Sequence, residues 1–538
     1  MITDFSTLTE EKLEQMDKRA VIAITMSMKG QLTAISNQLN IITEQLALMN
    51  QRSFGRKTEK ADQMDNQLSL FEIYDVFNEP EILSDDSPEP EIEEVAISGY
   101  TRKAKTKRED KLEGLPARIF EHKLSEDELL ELFPDGYKEL PVETYKRLSV
   151  IPHTFMVDEH HVHVYASKTN DGRIIRAERP ADLFRNSLAT PSILSMVTVS
   201  KFANHMPTER QSREMAQSGV NLGTNTLSNW LIKGSDMYLS LIYDELHKKL
   251  FDSRIVHADE TPFEVVHDGR GAGSNSYMWV YRNGKCDNRR PIILYDYQST
   301  RKTDHPEEFL KDYNGVLVTD GYQVYHSLEK KREGLLVAGC WVHAKRKFAE
   351  LVKSLDPDNS DGIIAAEATK RISKIFHLDN KLDDLSKEER SKQRQLIIKP
   401  RVDKFFAWAK DSISKVPAEG ATAKGLQYCL NQEEFLRVFL EDPDVPMDNN
   451  LAEQAIRPFT LGRKNWVTIS STEGAGASAI IYSLVETAKA NNLRLFEYFE
   501  YLYTELAAHA DDKNRDFIED LLPWSDVVQE KYRIPQKS

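Results

Sequence analysis

Three carboxylates lie where they could hold divalent cations. Asp259 lies in RIVHADETPFEVV and Asp320 lies in GVLVTDGYQVYHSL, and each follows a short apolar run that predicts a buried strand. Glu453 lies in DNNLAEQAIRPFTLGRKNW, which predicts a short helix. Magnesium prefers carboxylate oxygens, and a pair of such ions can activate an attacking oxygen and stabilise a leaving oxygen. These residues therefore indicate metal-dependent chemistry on a DNA phosphodiester.

Basic residues follow the third carboxylate and also occupy a predicted helix ahead of it. Arginine can bind a phosphate through two parallel hydrogen bonds, which fixes the orientation of the backbone. The predicted DNA contacts are Arg457, Arg463, Lys464, Lys345 and Arg346.

Each of the three acids also has an ordinary structural explanation. Asp259 could bind backbone at a strand end, and Asp320 precedes Gly321 as many turn residues do. Glu453 could complete a capping box that begins at Asn450. Taken together, three acids on suitable elements beside a basic cluster favour the metal site.

Two other acids of the first predicted strand are rival ligands, Glu260 and Glu264. Neighbouring side chains of a strand point to opposite faces of the sheet. Glu260 is therefore expected to face away from Asp259, and Asp259 is the preferred ligand.

The elements that carry these acids predict a ribonuclease H-like sheet. Three sequential strands, a short helix and two further strands follow Arg254, and this order places the first strand beside the fourth. Asp259 and Asp320 would then reach the same ion. The segment between Asp320 and Glu453 is too long for a loop, so residues 356–442, which are largely polar and helix-like, are interpreted as a helical insertion.

Length and composition limit the classes of protein to which the chain can belong. A chain of 538 residues with 40% hydrophobic residues is expected to fold into several globular domains. Its apolar runs are too short to cross a bilayer, and its acidic N-terminus does not resemble a secretory signal. Three cysteines, Cys286, Cys340 and Cys429, provide neither a disulfide framework nor a four-cysteine zinc site. A bacterial cytosol is the expected location.

The charge of the chain is negative overall but unevenly distributed. A net charge of −15 argues against a protein that simply coats DNA. Residues 79–94 contain eight acids, whereas residues 102–111 contain six lysines or arginines. A local basic groove is sufficient to bind a phosphate backbone, so a DNA enzyme remains possible.

The N-terminal segment predicts a coiled coil. Apolar positions alternate steps of four and three residues, which is the spacing of a heptad seam. The seam consists of Val21, Thr25, Met28, Leu32, Ile35, Leu39, Ile42, Leu46 and Met49. Self-association is the favoured interpretation, and packing on its own domain is the alternative. A small basic patch, Ser53–Lys60, follows.

A linker and a small β-rich region are predicted next. Residues 61–111 lack hydrophobic periodicity and are interpreted as a linker, and residues 112–180 as β-rich. Phe155–Ser167 is predicted to be a strand. On this strand His161 and His163 would lie on one face and His160 on the other. No cysteine precedes Cys286, so no zinc site is expected.

Residues 181–250 predict helices with a helix-turn-helix rhythm. One helix would end at Gly219, and Thr224 or Asn225 would cap the next. The second helix, with Leu227 and Trp230 on its apolar face, would then enter the major groove of DNA. An ordinary helical hairpin is the alternative.

These predictions give an α/β multidomain protein in eight segments. The N-terminal half has a coiled coil and basic patch at 1–60, a linker at 61–111, the β-rich region at 112–180 and the helical domain at 181–250. The C-terminal half has a first core part at 251–355, the helical insertion at 356–442, a second core part at 443–492 and a helical tail at 493–538.

At the level of whole motifs, the chain resembles the DDE transposases of the insertion-sequence sixty-six type. The resemblance extends from about Ser53 to Leu493 in family order. It is carried by SFGRKTEK, SKFANHMPTERQ, HADETPF, TDGYQVYHSL, CWVHAKRKF, DNNLAEQAIRPFTLGRKNW and SLVETAKANNL.

The resemblance implies both a fold and an activity. It implies a ribonuclease H-like core with a helical insertion, in which Asp259, Asp320 and Glu453 bind Mg²⁺, for which Mn²⁺ can substitute. Two departures stand out: Ala166 and its neighbours replace the cysteines of a zinc-binding segment, and Gln454 replaces an arginine after the catalytic glutamate. The first removes the implied zinc, and the second places one phosphate contact in doubt.

The expected function is binding the terminal inverted repeats of an insertion sequence, cleaving the DNA strand and joining it to target DNA. The expected partners are double-stranded DNA (the element ends and the target), a second copy of the chain in a dimer or larger assembly, and small accessory proteins. No membrane is expected. The protein would be associated with the nucleoid when bound to DNA. A non-catalytic DNA-binding regulator and a structure-selective nuclease on the same core are the alternatives.

Overall fold

The computed structural model describes residues 17–31 except 20 and 23, 154–166, 174–177, and 181–535 except 272, 285–289 and 355–362. The chain divides into two compact units. One comprises Met1–Lys57 and His160–Ser538, and the other comprises Thr58–Glu159. The elements below belong to the first unit.

The N-terminal segment is helical at residues 24–31. Of the three described positions of the predicted heptad seam, Thr25 and Met28 are exposed and Val21 is half-buried. The remainder of the seam, the basic patch and the linker at 61–111 lie outside the described residues.

The predicted strand at Phe155–Ser167 is wrong for most of its length. Only Val164–Ala166 (β1) is a strand, and it pairs in antiparallel fashion with Ile174–Arg176 (β2). Residues 154–163 are in neither helix nor strand, so His161 and His163 do not share the face of a strand as predicted. The physical reason is the partner, because β2 offers only three residues for pairing.

Between β2 and the large sheet, the described part of the chain forms four α-helices. They are α1 (Pro191–Phe202), α2 (Thr208–Gln217), α3 (Thr224–Gly234) and α4 (Ser240–Leu250). Gly219 ends the turn after α2 with φ +83°, a conformation that glycine adopts without strain. Neither Thr224 nor Asn225 caps α3, because the cap position is occupied by Gly223, which has no side chain to bind the first turn.

The helical segment packs on the C-terminal part of the chain. The Ser195 hydroxyl donates to the Phe496 carbonyl at 2.6 Å, and Thr198 Oγ1 lies 3.0 Å from the Tyr503 hydroxyl in a buried contact. These contacts join α1 to α15 (Leu495–Ala508), so the two segments share one core.

Within the described residues, the main sheet has six strands, five of which run in the order β5-β4-β3-β6-β7, and β8 (Ile469–Ser471) pairs with β3. The five are β3 (Ile255–His267), β4 (Asn275–Asn283), β5 (Ile293–Gln298), β6 (Gly315–Thr319) and β7 (Leu335–Gly339). Strand β4 is antiparallel to β3 and to β5, and β6 is parallel to β3 and to β7. The predicted adjacency of the first and fourth strands is confirmed.

Helices connect and extend these strands. They are α5 (Asp304–Phe309), α6 (Gln323–Lys331), α7 (Trp341–Ser354), α8 (Ile364–Asn380), α9 (Lys387–Gln393), α10 (Lys399–Ser412), α11 (Ala421–Asn431) and α12 (Glu433–Arg437). The last five build the predicted helical region before Glu453, and all of them except α9 share one hydrophobic core with β6, β7 and α7. Arg394, fully buried, binds Asp379 and three backbone carbonyls and thereby ties this region together.

The final elements return to the sheet. They are α13 (Asn450–Trp466), β8 (Ile469–Ser471), α14 (Thr472–Ala490), α15, α16 (Ile518–Leu521) and α17 (Asp526–Tyr532). On α14, Ser483 and Thr487 accept hydrogen bonds from the backbone of the edge strand β5 at 2.7 and 2.9 Å. The helix therefore covers an edge that would otherwise expose unpaired backbone groups.

Two absences concern the described part of the chain alone. No helix in it is long and apolar enough to span a membrane. Its two cysteines, Cys340 and Cys429, are buried and unpaired by disulfide.

Candidate active site

Strand register places the first two acids side by side. The parallel pairing of β3 with β6 ends at His257 and Val318. Asp259 and Asp320 each lie two residues beyond that pair, in the same chain direction. Because parallel strands run in step, the two carboxylates come from neighbouring positions at the end of the ladder.

The electrostatics of Asp259 indicate that all three acids converge. Burial raises the pKa of the Asp259 carboxyl well above its ordinary value, and the charges of Glu260, Asp320 and Glu453 raise it further. Like charges have this effect only over short distances. The charges of Asp320 and Glu453 therefore both act on Asp259, the first of the three acids that sequence reasoning selected.

Asn449 positions the helix that carries Glu453. It is fully buried, and its amide donates to the Ala258 carbonyl at 2.8 Å while its Oδ1 lies 3.0 Å from His257 Nδ1. Its backbone N–H points to the Cys340 sulfur at 3.3 Å. One side chain thus fixes the start of α13 against the strand that carries Asp259.

The capping-box explanation of Glu453 does not apply. The cap position of α13 is Asn449 rather than Asn450, and no side chain there binds the first turn. Instead, Arg346 donates to Glu453 Oε2 at 3.1 Å, and His343 Nδ1 lies 3.5 Å from Oε1. Burial raises the pKa of Glu453, although the Arg346 charge opposes that shift.

His343 is neutral in this arrangement. Burial and the Arg346 charge lower its pKa to about 4. Arg346 also donates to His343 Nε2 at 3.1 Å, which assigns the ring proton to Nδ1, the nitrogen facing Glu453. The imidazole therefore presents a polar N–H, not a charge, to the carboxylate.

Cys340, His343 and Glu453 have ligand atoms within 4.8 Å of one another, which is close enough to hold a metal ion. A cysteine ligand must be a thiolate. Burial, followed by the charges of Asp448 and Glu453, raises the pKa of Cys340 far above its usual value. A metal ion at this group would therefore have to displace the thiol proton, whereas the oxygen-rich set of Asp259, Asp320 and Glu453 suits a hard cation better.

Asp320 combines its place in the cluster with a role in the turn. Its Oδ1 accepts from the Tyr322 N–H at 2.9 Å, and its carbonyl accepts from the Tyr428 hydroxyl at 2.7 Å. Gly321 has φ +92°, and a Cβ there would lie 2.6 Å from the Tyr428 hydroxyl oxygen. Tyr428 lies on α11, so the helical insertion supports the turn that presents Asp320.

Glu260, the rival ligand, is bound by an arginine, although its charge also acts on Asp259. Arg301 Nε donates to its Oε1 at 2.8 Å, and burial followed by the Asp320 charge raises its pKa to about 7. The Arg301 guanidinium lies 3.8 Å from the centre of the Tyr322 ring. Sequence reasoning missed Arg301, because nothing in the loop after β5 marks it. Glu264 instead accepts from the Gly273 N–H at 3.3 Å.

The predicted DNA contacts occupy different settings. Arg457 lies near the acids, since its charge lowers the pKa of Glu453. Arg346 is bound to Glu453, and Arg463 donates to the Pro262 carbonyl of β3, so both have partners within the chain. Lys345 is partly buried, and Lys464 is exposed.

A mixed sheet with helices and a cluster of buried carboxylates is consistent with an α/β transposase. The family model described as Transposase IS66 family matches residues 186–477. The model for the IS66 C-terminal element matches residues 483–524, and one described as Transposase C of IS166 homeodomain matches residues 42–119. The chain belongs to the IS66 family of transposases.

Two relatives from Sinorhizobium fredii (strain NBRC 101917 / NGR234) are similar over most of their length. The uncharacterized protein y4qI is 28% identical over 393 residues, which are 71% of this chain and 70% of the relative. The uncharacterized protein y4jD is 26% identical over 393 residues, which are 71% of this chain and 75% of the relative.

Proposed function

We propose that the chain is a DDE-type transposase that cleaves and joins DNA at the ends of its insertion sequence. The sheet that runs β5-β4-β3-β6-β7 would be a ribonuclease H-like core, interrupted by the helical insertion. The observation that carries the proposal is the electrostatic coupling of Asp259 to both Asp320 and Glu453. Three partly buried carboxylates repel one another, and bound divalent cations would offset that repulsion.

The residues fit Mg²⁺ because they offer carboxylate oxygens. Asp259, Asp320 and Glu453 would hold the ions, with Mn²⁺ as a substitute. When bound, the ions would supply the charge that activates an attacking oxygen and stabilises a leaving one. Arg457, which lies near Glu453, and Lys464, which is exposed, would bind flanking phosphates. Arg346 would instead orient Glu453.

The proposed reaction has two phosphoryl transfers. In the first, a water oxygen attacks the phosphorus at the element end, and the bond to the 3′-oxygen breaks to leave a 3′-hydroxyl. In the second, that hydroxyl attacks a target phosphodiester in line and displaces the target 3′-oxygen. Two copies of the chain would hold the two inverted repeats.

The test is Asp259→Asn, compared with Glu264→Gln on the same strand. Gel assays with DNA that contains the element ends, with and without Mg²⁺, measure cleavage, and a shift assay measures binding. We expect Asp259→Asn to lose cleavage by at least about 10³-fold and to keep binding, because it removes a ligand without removing a DNA contact. Wild-type cleavage in Asp259→Asn, or equal loss in both variants, would refute the assignment.

A further inference from the structure

A cavity lies outside the acid cluster. It has a volume of about 190 Å³ and lies between α1, α3, the end of α13, β8 and the start of α14. Its lining is more apolar than polar, and its polar side chains include Lys201, Thr208, Ser228, Ser471 and Ser478. No acidic residue is among the described residues that line it. An anion in the cavity would therefore meet no carboxylate there.

Lys201 brings a positive charge to this cavity. It lies in the last turn of α1 and is partly buried. Within the described chain, its ammonium has neither a hydrogen bond nor a carboxylate partner, and it lies 5.4 Å from the centre of the Phe202 ring. Removal from water lowers its pKa to about 8, so an anion in the cavity would compensate an otherwise uncompensated charge.

The other walls of the cavity provide donors. Thr208 Oγ1 and Ser228 Oγ lie 3.4 Å apart on α2 and α3. Across from them, Ser471 caps α14, a helix of 19 residues whose N-terminus carries a partial positive charge. The acid of that first turn, Glu473, is exposed and does not line the cavity. Hydrogen bonds from its own backbone N–H and from the Ser471 and Thr472 hydroxyls lower the pKa of its carboxyl, so it shares the helix N-terminus with an anion in the cavity. Hydroxyl groups, a helix N-terminus and an ammonium are the groups that bind phosphate.

We infer that this cavity binds a backbone phosphate of the DNA on which the chain acts. The inference rests on the proposed function for the identity of the polymer. It gives a role to the SKFANHMPTERQ motif, since Lys201 and Thr208 both belong to it. It also places a phosphate contact between the α2–α3 helical pair and β8, which pairs with the far end of β3.

The experiment compares Lys201→Met, Lys201→Arg and the wild type in the full chain. Lys513→Met, at an exposed lysine outside the cavity, is the matched control for charge. Fluorescence anisotropy with a duplex of inverted-repeat DNA gives the affinity over a series of salt concentrations. Loss of one phosphate contact should lower the slope of log K against log salt by about 1, with affinity reduced by roughly tenfold at low salt. Lys201→Arg and Lys513→Met should behave as the wild type.

Two further measurements make each outcome decisive. Thermal unfolding of Lys201→Met should equal or exceed that of the wild type, because a desolvated charge is removed. A titration with inorganic phosphate at constant ionic strength distinguishes a free anion from DNA. The inference is overturned if Lys201→Met keeps the wild-type slope, or if Lys513→Met loses as much DNA affinity as Lys201→Met. It is also overturned if phosphate protects only the wild type against unfolding while Lys201→Met binds DNA as tightly as the wild type. A wild type that binds DNA through Lys201 but never cleaves it would refute the proposed function alone.

Discussion

The acid cluster is costly for the fold that contains it. Asp259 shares its surroundings with Glu260, Asp320 and Glu453, and every one of these charges raises its pKa. Among the described residues, Glu260 forms an ion pair with Arg301, and Glu453 forms one with Arg346. A carboxyl whose folded-state pKa is raised contributes stability at low pH, and that contribution is lost as the pH rises through the folded-state pKa.

Asp259→Asn should therefore stabilise the metal-free protein at pH 8. We expect a gain on the order of 1–3 kcal/mol, because the amide keeps the shape of the side chain and removes a buried charge. The gain should be smallest at pH 5 and increase towards pH 8, and added Mg²⁺ should stabilise the wild type more than the variant. Thermal unfolding at the two pH values measures it. Glu264→Gln should show no such pH dependence, and a loss of stability in Asp259→Asn at pH 8 would contradict the assignment of a strained cluster.

The join between β3 and α13 depends on one buried amide. Asn449→Ala would leave the Ala258 carbonyl and His257 Nδ1 without that partner. We expect a loss of about 2–4 kcal/mol in the free energy of unfolding, together with weaker metal-dependent cleavage, because Glu453 loses its anchor. Chemical denaturation and the gel assay measure the two effects. Asn465 is exposed near the other end of α13. Asn465→Ala should change the free energy of unfolding by no more than about 0.5 kcal/mol and the cleavage by no more than about twofold.

The packing of α13 on α14 requires a glycine. A Cβ at Gly462 would overlap the Trp466 ring and the Tyr482 hydroxyl, whereas a Cβ at Gly476 meets nothing within 4 Å. Alanine favours a helix over glycine by about 1 kcal/mol. Gly476→Ala should therefore stabilise the protein by roughly 0.5–1 kcal/mol, and Gly462→Ala should destabilise it by about 1–3 kcal/mol. Denaturation of the pair tests this, and the same sign for both would show that local propensity outweighs packing.

The sequence was sufficient to predict elements whose signal is local. The apolar runs before Asp259 and Asp320 become β3 and β6, and their adjacency follows from the order of the strands. Contacts between distant parts of the chain left no such signal. Asn449 meets Ala258 across 191 positions, and Arg346 meets Glu453 across 107. The strand predicted at Phe155–Ser167 failed for the same reason, because its length depends on its partner.

The core and its insertion behave as one body rather than as separable domains. Trp341 at the start of α7 packs in a cluster with residues of both β6 and the insertion, and its indole N–H donates to the Leu436 carbonyl at 2.7 Å. Arg254, just ahead of β3, pairs with Asp442 and Asp444 at the end of the insertion. The insertion therefore contributes to the position of both Asp320 and Glu453, and it is part of the site rather than an addition to it.

Assembly of two copies is the remaining requirement of a reaction that joins two DNA ends. The described part of the N-terminal helix exposes Thr25 and Met28, both on the predicted seam. Leu39→Lys would place a charge at a predicted core position of the coiled coil, which a dimer would have to bury without a partner. We expect the full-length variant to sediment as a monomer, to bind single inverted repeats within about twofold of the wild type, and to lose paired-end joining by at least about tenfold. Gln38→Lys, one residue away at a flanking position, should keep both the assembly and the joining. If Leu39→Lys sediments like the wild type, the seam packs on its own chain, and the assembly must use another surface.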